Sequence, residues 1–180
     1  MIIENINIEG AFLIKNFNSI DDRGKFVKTY NTIDFNHNNL NFKVKESYYS
    51  INKKNVIRGM HFQLPTYSHN KLVYVSSGKI IDVILDLRKN SKTFLEFCEI
   101  QLSENDNTSI YIPSGCAHGF ISLEDDTTMV YNVDSVYSSD YDSGLRFDSF
   151  GYNWKVKNPI LSERDKTLTL LNNFLPNNPF

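Results

Sequence analysis

Read for alternation of apolar and polar positions, the chain is β-rich through its middle and nearly free of helical periodicity. Across residues 71–87 (KLVYVSSGKIIDVILDL) two runs of β-branched and aromatic residues meet at Ser76-Ser77-Gly78-Lys79. Gly78 can take the positive φ of a tight turn, so the pattern predicts a hairpin. Short runs follow at 94–102, 109–112, 119–123 and 128–133, broken by Asn, Asp, Ser, Gly and Pro. That spacing predicts a sandwich or barrel. Helical signals are confined to two places. Residues 162–172 set Leu168, Leu170 and Leu171 on a partial apolar face behind an S-x-x-D start, and 32–38 is a candidate for a second short helix.

Length and composition narrow the class. A chain of 180 residues suits one core and a single domain over 1–180. With 41% hydrophobic, 13% aromatic and 22% charged residues it falls outside the disordered, collagenous and membrane-spanning classes. The 19 basic and 21 acidic residues leave a net charge of −2, too balanced for a whole-domain grip on nucleic acid or anionic lipid. Any bound anion must meet a local cluster. The opening MIIENINIEG reads neither as a signal peptide nor as an anchor. Cys98 and Cys116, without CxxC spacing, fit reduced thiols in a cytoplasmic protein. Gly-rich phosphate loops are missing, which removes the simplest argument for nicotinamide or ATP chemistry.

Candidate chemistry lies beside the β-runs. In Arg58-Gly59-Met60-His61-Phe62-Gln63, side chains 61 and 63 share a face of an extended strand, and Arg58 falls outside that set. Lys71 opens the next run, His118 follows the turn Pro113-Ser114-Gly115, Tyr131 sits in another run, and Asp165 comes much later. A lone His is most often a hydrogen-bonded imidazole, a lone Lys or Arg a solvated charge, and a Tyr strand packing. Together they form a kit. His61 can act as a base near neutral pH, with a carboxylate to fix its tautomer. Asp165 can serve if the C-terminal segment folds over the barrel mouth, although N3 of a capping box started by Ser162 is its stronger reading from sequence. Lys71 can stabilise an enolate oxygen and Tyr131 can donate a proton from the face opposite the base. Base, oxyanion partner and acid together suit proton abstraction next to a ketone. Arg23, Arg58 and Lys71 can clamp phosphates. Phe26, Tyr30, Tyr48, Tyr49 and Tyr137 can stack on a base or sugar, or simply pack.

At these residues the chain resembles the dTDP-4-dehydrorhamnose 3,5-epimerase family. The resemblance rests on DDRGKF at 21–26, NVIRGMHFQ at 55–63, KLVYVSSGKIIDVILDLRKNSKTF at 71–94, LSENDN at 102–107, IPSGCAHGF at 112–120, VYNVDSVYS at 130–138 and LSERD at 161–165. It implies a mainly β fold, a cupin-type jelly-roll barrel with a short C-terminal helical segment. It also implies a homodimer acting on a nucleoside-diphosphate 4-keto-6-deoxy sugar without metal or organic cofactor. By position His61 looks like the family's base, Asp165 its dyad partner, Lys71 and His118 the groups around the sugar carbonyl, and Tyr131 the acid. Arg23 and Arg58 match positions that hold the diphosphate, and Gln63 joins the substrate-binding set.

The departures from the family fall on substrate recognition: Lys28 for a usual Glu, Glu46-Ser47-Tyr48 for a common Gln-x-Asn, Asp142 for Glu and Arg164 for Lys. Exchanging Gln and Asn for Glu and Tyr changes the donors and acceptors offered to a base. Glu46 can accept from guanine N1 and N2, so a guanosine-linked sugar, hexose or heptose, is the expectation set against thymidine. Three other readings compete. A metal-dependent cupin would use His61, Gln63 and His118 as ligands; a silent binding protein would need no acid and base; a sugar-nucleotide 3,4-ketoisomerase would share the architecture.

Overall fold

A computed structural model describes residues 1–180. Its strands are β1 (Ile2–Asn5), β2 (Phe12–Lys15), β3 (Phe17–Asp21), β4 (Gly24–Lys28), β5 (Glu46–Asn52), β6 (Ile57–Gln63), β7 (Lys71–Ser77), β8 (Lys79–Asp86), β9 (Phe97–Ser103), β10 (Thr108–Ile112), β11 (Cys116–Ser122), β12 (Thr127–Val133) and β13 (Asp142–Gly144). Helix α1 covers Thr32–His37, α2 Glu163–Thr167 and α3 Leu171–Phe174. A six-stranded sheet runs β1-β2-β10-β7-β12-β5 and a five-stranded sheet runs β13-β6-β11-β8-β9, while β3 and β4 form a separate ribbon. All strand pairs are antiparallel. The expected β jelly roll with short C-terminal helices is the observed architecture.

Strand alternation builds three apolar layers. Between the sheets lie Val73, Val75, Ile80, Ile84, Ile110, Ile112, Phe120 and Met129. The outer face of the six-stranded sheet is closed by α1 and the segment after it, through Phe35, Leu40 and Phe42 on Leu72 and Tyr111. The C-terminal segment covers the other sheet, with Trp154 and Leu171 against Val83, Leu85 and Ala117. Both sheets therefore carry buried residues on both faces, which explains the near-continuous apolar runs of β8 and β11.

Two local expectations are corrected. The runs meeting at Gly78 are not a hairpin, because β7 pairs with β10 and β12 whereas β8 pairs with β9 and β11. Gly78, at φ +79°, turns a corner from one sheet to the facing one. A hairpin and a corner both call for a glycine turn between alternating runs, so the local pattern cannot separate them. The single helix expected over 162–172 is two short helices. Between them Thr169 bridges to Leu145, and its carbonyl accepts from Arg146 N–H at 2.9 Å, so tertiary pairing interrupts the helix. The strands β1 to β5 carried little signal; β3 and β4 are almost wholly exposed and have no buried face to pattern.

Candidate active site

One end of the barrel interior is polar. The inward face of β12 presents Tyr131, β7 presents Lys71, β11 presents His118 and β8 presents Asp82 behind it. Strand β6 contributes His61 and Arg58 together. Three residues apart, they would lie on opposite faces of a regular strand. The register against β11 shifts, so that His118 faces His61 but Phe120 faces Arg58. The extra residue brings Arg58 onto the face of His61. Gly59, at φ +134°, permits this, and a Cβ there would sit 2.5 Å from Gly119 Cα. The glycine was visible in the sequence; the consequence for Arg58 was not.

Arg58, His61, Lys71, His118, Tyr131, Tyr48, Ser50 and Phe120 line a cavity of about 270 Å³. A second, of about 300 Å³, opens beside it and is lined by Glu46, Tyr137, Asp142 and Arg164 among others. Tyr48, His61 and Lys71 belong to both and form the wall between them.

His61 Nε2 lies 2.7 Å from Asp165 Oδ1. The carboxylate can only accept here, so Nε2 carries the proton and Nδ1 keeps the lone pair. Burial lowers the imidazole pKa, and the Asp165 hydrogen bond opposes that shift without cancelling it. Asp165 is 3% exposed. Burial pushes its carboxyl up, but hydrogen bonds from His61 and Gly59 outweigh it and leave the pKa below the ordinary value. The capping reading is half right: Ser162 Oγ accepts from Asp165 N–H at 3.0 Å, as an N-cap does, while the carboxylate points to His61.

Lys71 is 7% exposed and donates to His61 O at 3.0 Å. Burial brings its ammonium down to about 8, against the pull of Asp82 and Asp142. His118 Nε2 meets Asp82 Oδ2 at 2.7 Å in a pair closed to solvent, and Asp82 was not picked out from the sequence. The Tyr131 ring lies edge-on to His118 at 6.1 Å and is stacked on Tyr48 at 4.9 Å. Burial, then Tyr48, raise the Tyr131 pKa well above that of a free phenol, so it stays protonated.

The recognition residues divide. Arg164 reaches Asp142 at 2.8 Å and lies 3.9 Å from Asp165. Glu46 accepts from Tyr137 N–H at 2.7 Å. Gln63, expected on substrate, is committed to the loops: its Oε1 accepts from Ser138 N–H at 2.7 Å and its Nε2 donates to Tyr67 O at 3.2 Å. The metal-cupin reading loses its third ligand, since Gln63 is committed to backbone, and no group of three or more His, Cys, Asp or Glu side chains is gathered where it could hold an ion. His69, overlooked in the sequence, lines the second cavity, and burial takes its pKa down to about 4. Arg23 and Lys28 are not in either cavity. Arg23 sits at the tip of the β3–β4 ribbon, 90% exposed and paired with Asp21, and Lys28 lies over Phe17 on the same ribbon.

Comparison with known proteins gives one answer. The family model described as dTDP-4-dehydrorhamnose 3,5-epimerase matches residues 5–173. An enzyme of that name from Methanothermobacter thermautotrophicus is 36% identical over 165 residues, covering 89% of each chain. The crystal structure of the Bacillus anthracis dTDP-4-dehydrorhamnose 3,5-epimerase, with TDP and PPi bound, superposes with a TM-score of 0.91 at 35% identity, over 94% of this chain and 98% of that one. A Legionella pneumophila 3,5-epimerase in complex with dTDP-4-keto-L-rhamnose gives 0.89 at 26% identity, over 94% and 92%.

Proposed function

The chain belongs to the dTDP-4-dehydrorhamnose 3,5-epimerase family, and on that footing we propose that it inverts C3, C5 or both of a dTDP-linked 4-keto-6-deoxy sugar with His61 as base and Tyr131 as acid. The observation carrying the residue roles is the His61–Asp165 dyad facing Tyr131 and Lys71 across one cavity. A C4 ketone acidifies the protons on C3 and C5. His61 Nδ1 removes one of them, and the electron pair moves onto the ketone oxygen as an enolate. The Lys71 ammonium stabilises that oxygen, in a buried setting where a fixed charge is worth more than in water. Tyr131 returns a proton to the carbon from the opposite face, and the configuration is inverted. Arg58, brought round by the bulge in β6, lies where it can pair with the diphosphate.

The guanosine expectation gives way to thymidine. The relatives described above act on, or were crystallised with, thymidine-linked compounds, and one of the two Glu46 oxygens that a guanine edge would need already accepts a backbone N–H. Titration with dTDP and GDP tests this: dTDP should bind at least about tenfold tighter, a difference of roughly 1.4 kcal/mol. Equal or tighter GDP binding would restore guanosine.

The pH profile should be a bell. On the acid side His61 must be neutral, and since its pKa lies below the ordinary histidine value, that limb falls on the acid side of the usual histidine range. On the alkaline side Lys71 loses its proton near its pKa of about 8, so kcat/KM declines above it. Lys71→Arg, which cannot deprotonate there, should move the alkaline limb upward. An unchanged limb would assign it to another group.

A homodimer completes this reading. Strand β5 pairs only with β12, so its other edge is free, and Tyr49 and Ile51 stand exposed on it. The ribbon exposes Phe17, Ile20 and Phe26 beside Arg23 and Lys28. Docking the ribbon of a second copy at this edge would bury both sets and carry two cations to the barrel mouth. Sedimentation should show a dimer, and Arg23→Ala should weaken dTDP binding although Arg23 lines neither active-site cavity of its own chain. A monomer, or unchanged affinity, would contradict the arrangement. We place the protein in the cytoplasm, where two unpaired cysteines stay reduced; none of its helices is long and apolar enough to cross a membrane.

A further inference from the structure

Tyr48 was expected to touch the nucleotide base, and its surroundings point elsewhere. It lies directly opposite Tyr131 in the β5–β12 register, so both side chains leave the sheet on its inner face. The two rings are nearly parallel, 18° apart with centroids at 4.9 Å. On its other side Tyr131 meets the His118 ring edge-on, and His118 is itself pinned by Asp82. Tyr131 is therefore held between a buried imidazole hydrogen-bonded to Asp82 and a phenol ring at the cavity mouth. Tyr48 belongs to none of the three apolar layers, so no core requires its bulk.

We propose that Tyr48 is a positioning residue for the reaction, whose ring clamps Tyr131 against His118 and so aims the Tyr131 hydroxyl at the face of the sugar opposite His61. The inference rests on the assignment of His61 as base and Tyr131 as acid. An acid that must deliver a proton to a carbon has a narrow approach. A small tilt of its ring moves the hydroxyl by an ångström or more, and misplacement of that size costs about 100-fold. Deprotonation at His61 does not depend on the Tyr131 ring, so the clamp should affect inversion and leave exchange intact. The stacking face of Tyr48 is what acts; its own hydroxyl, raised by burial to about 12, is not the donor in this scheme.

Three proteins separate the possibilities: wild type, Tyr48→Phe, which keeps the ring, and Tyr48→Ala, which removes it. Each is incubated in deuterated water with a dTDP-linked 4-keto-6-deoxy hexose, and NMR reads label incorporated and configuration. Tyr48→Phe should match wild type within about twofold, and Tyr48→Ala should exchange at near the wild-type rate while inversion per exchange event falls about 10- to 100-fold. Loss of inversion in Tyr48→Phe would make the hydroxyl the active group and overturn the clamp. So would a Tyr48→Ala variant that inverts normally, or one that loses exchange and inversion together. A wild type that exchanges nothing overturns the epimerase assignment itself, and the clamp with it.

Discussion

His61→Asn is expected to abolish exchange of substrate protons with solvent. The substitution keeps a polar side chain of similar reach but removes the basic nitrogen, and a positioned general base is worth about 10²- to 10⁴-fold. Because Nε2 is tied to Asp165, the lone pair lost is the one at Nδ1. Asp165→Asn should then act through His61. An amide can offer Nε2 a donor, which favours the wrong tautomer, so turnover should fall steeply while folding is largely kept. The N-cap bond runs through the Asp165 backbone N–H, and the substitution leaves it in place. A His61→Asn protein that exchanges label at the wild-type rate would remove His61 from the reaction. A loss of stability at Asp165→Asn with turnover intact would return Asp165 to a structural part.

Tyr131→Phe should give the opposite split. Removal of the hydroxyl leaves the ring between Tyr48 and His118 and leaves the base untouched. The enolate still forms and is reprotonated from the His61 side, so label enters with retention. Inversion should fall by about 10²-fold or more, the usual weight of a general acid. Exchange lost in parallel with inversion would mean that Tyr131 binds or orients substrate and does not deliver the proton.

Much of this was legible in the residues and some was not. The barrel's middle strands showed themselves because each buries at least one face, as the alternation of β12 or as the apolar run of β8. The ribbon and β5 did not, because exposed strands obey no inside-outside rule. Arg58 was placed off the His61 face by a period-two argument that a bulge at Gly59 defeats. Asp165 was read as a cap because S-x-x-D is a local signal; its second role spans 104 residues of sequence separation. Asp82 was hidden inside an apolar run, and only the pairing of β8 with β11 sets it behind His118. Gln63 looked like a substrate ligand beside His61, yet its amide closes two loops.

The central claim, that one dyad and one phenol move a proton across a carbon next to a ketone, is tested most directly by the wild-type protein in deuterated water. Given a dTDP-linked 4-keto-6-deoxy hexose, it should place deuterium at C3, C5 or both, with inverted configuration at a labelled centre and the ketone still at C4. Recovery of unlabelled substrate, or migration of the ketone to C3, would contradict the account.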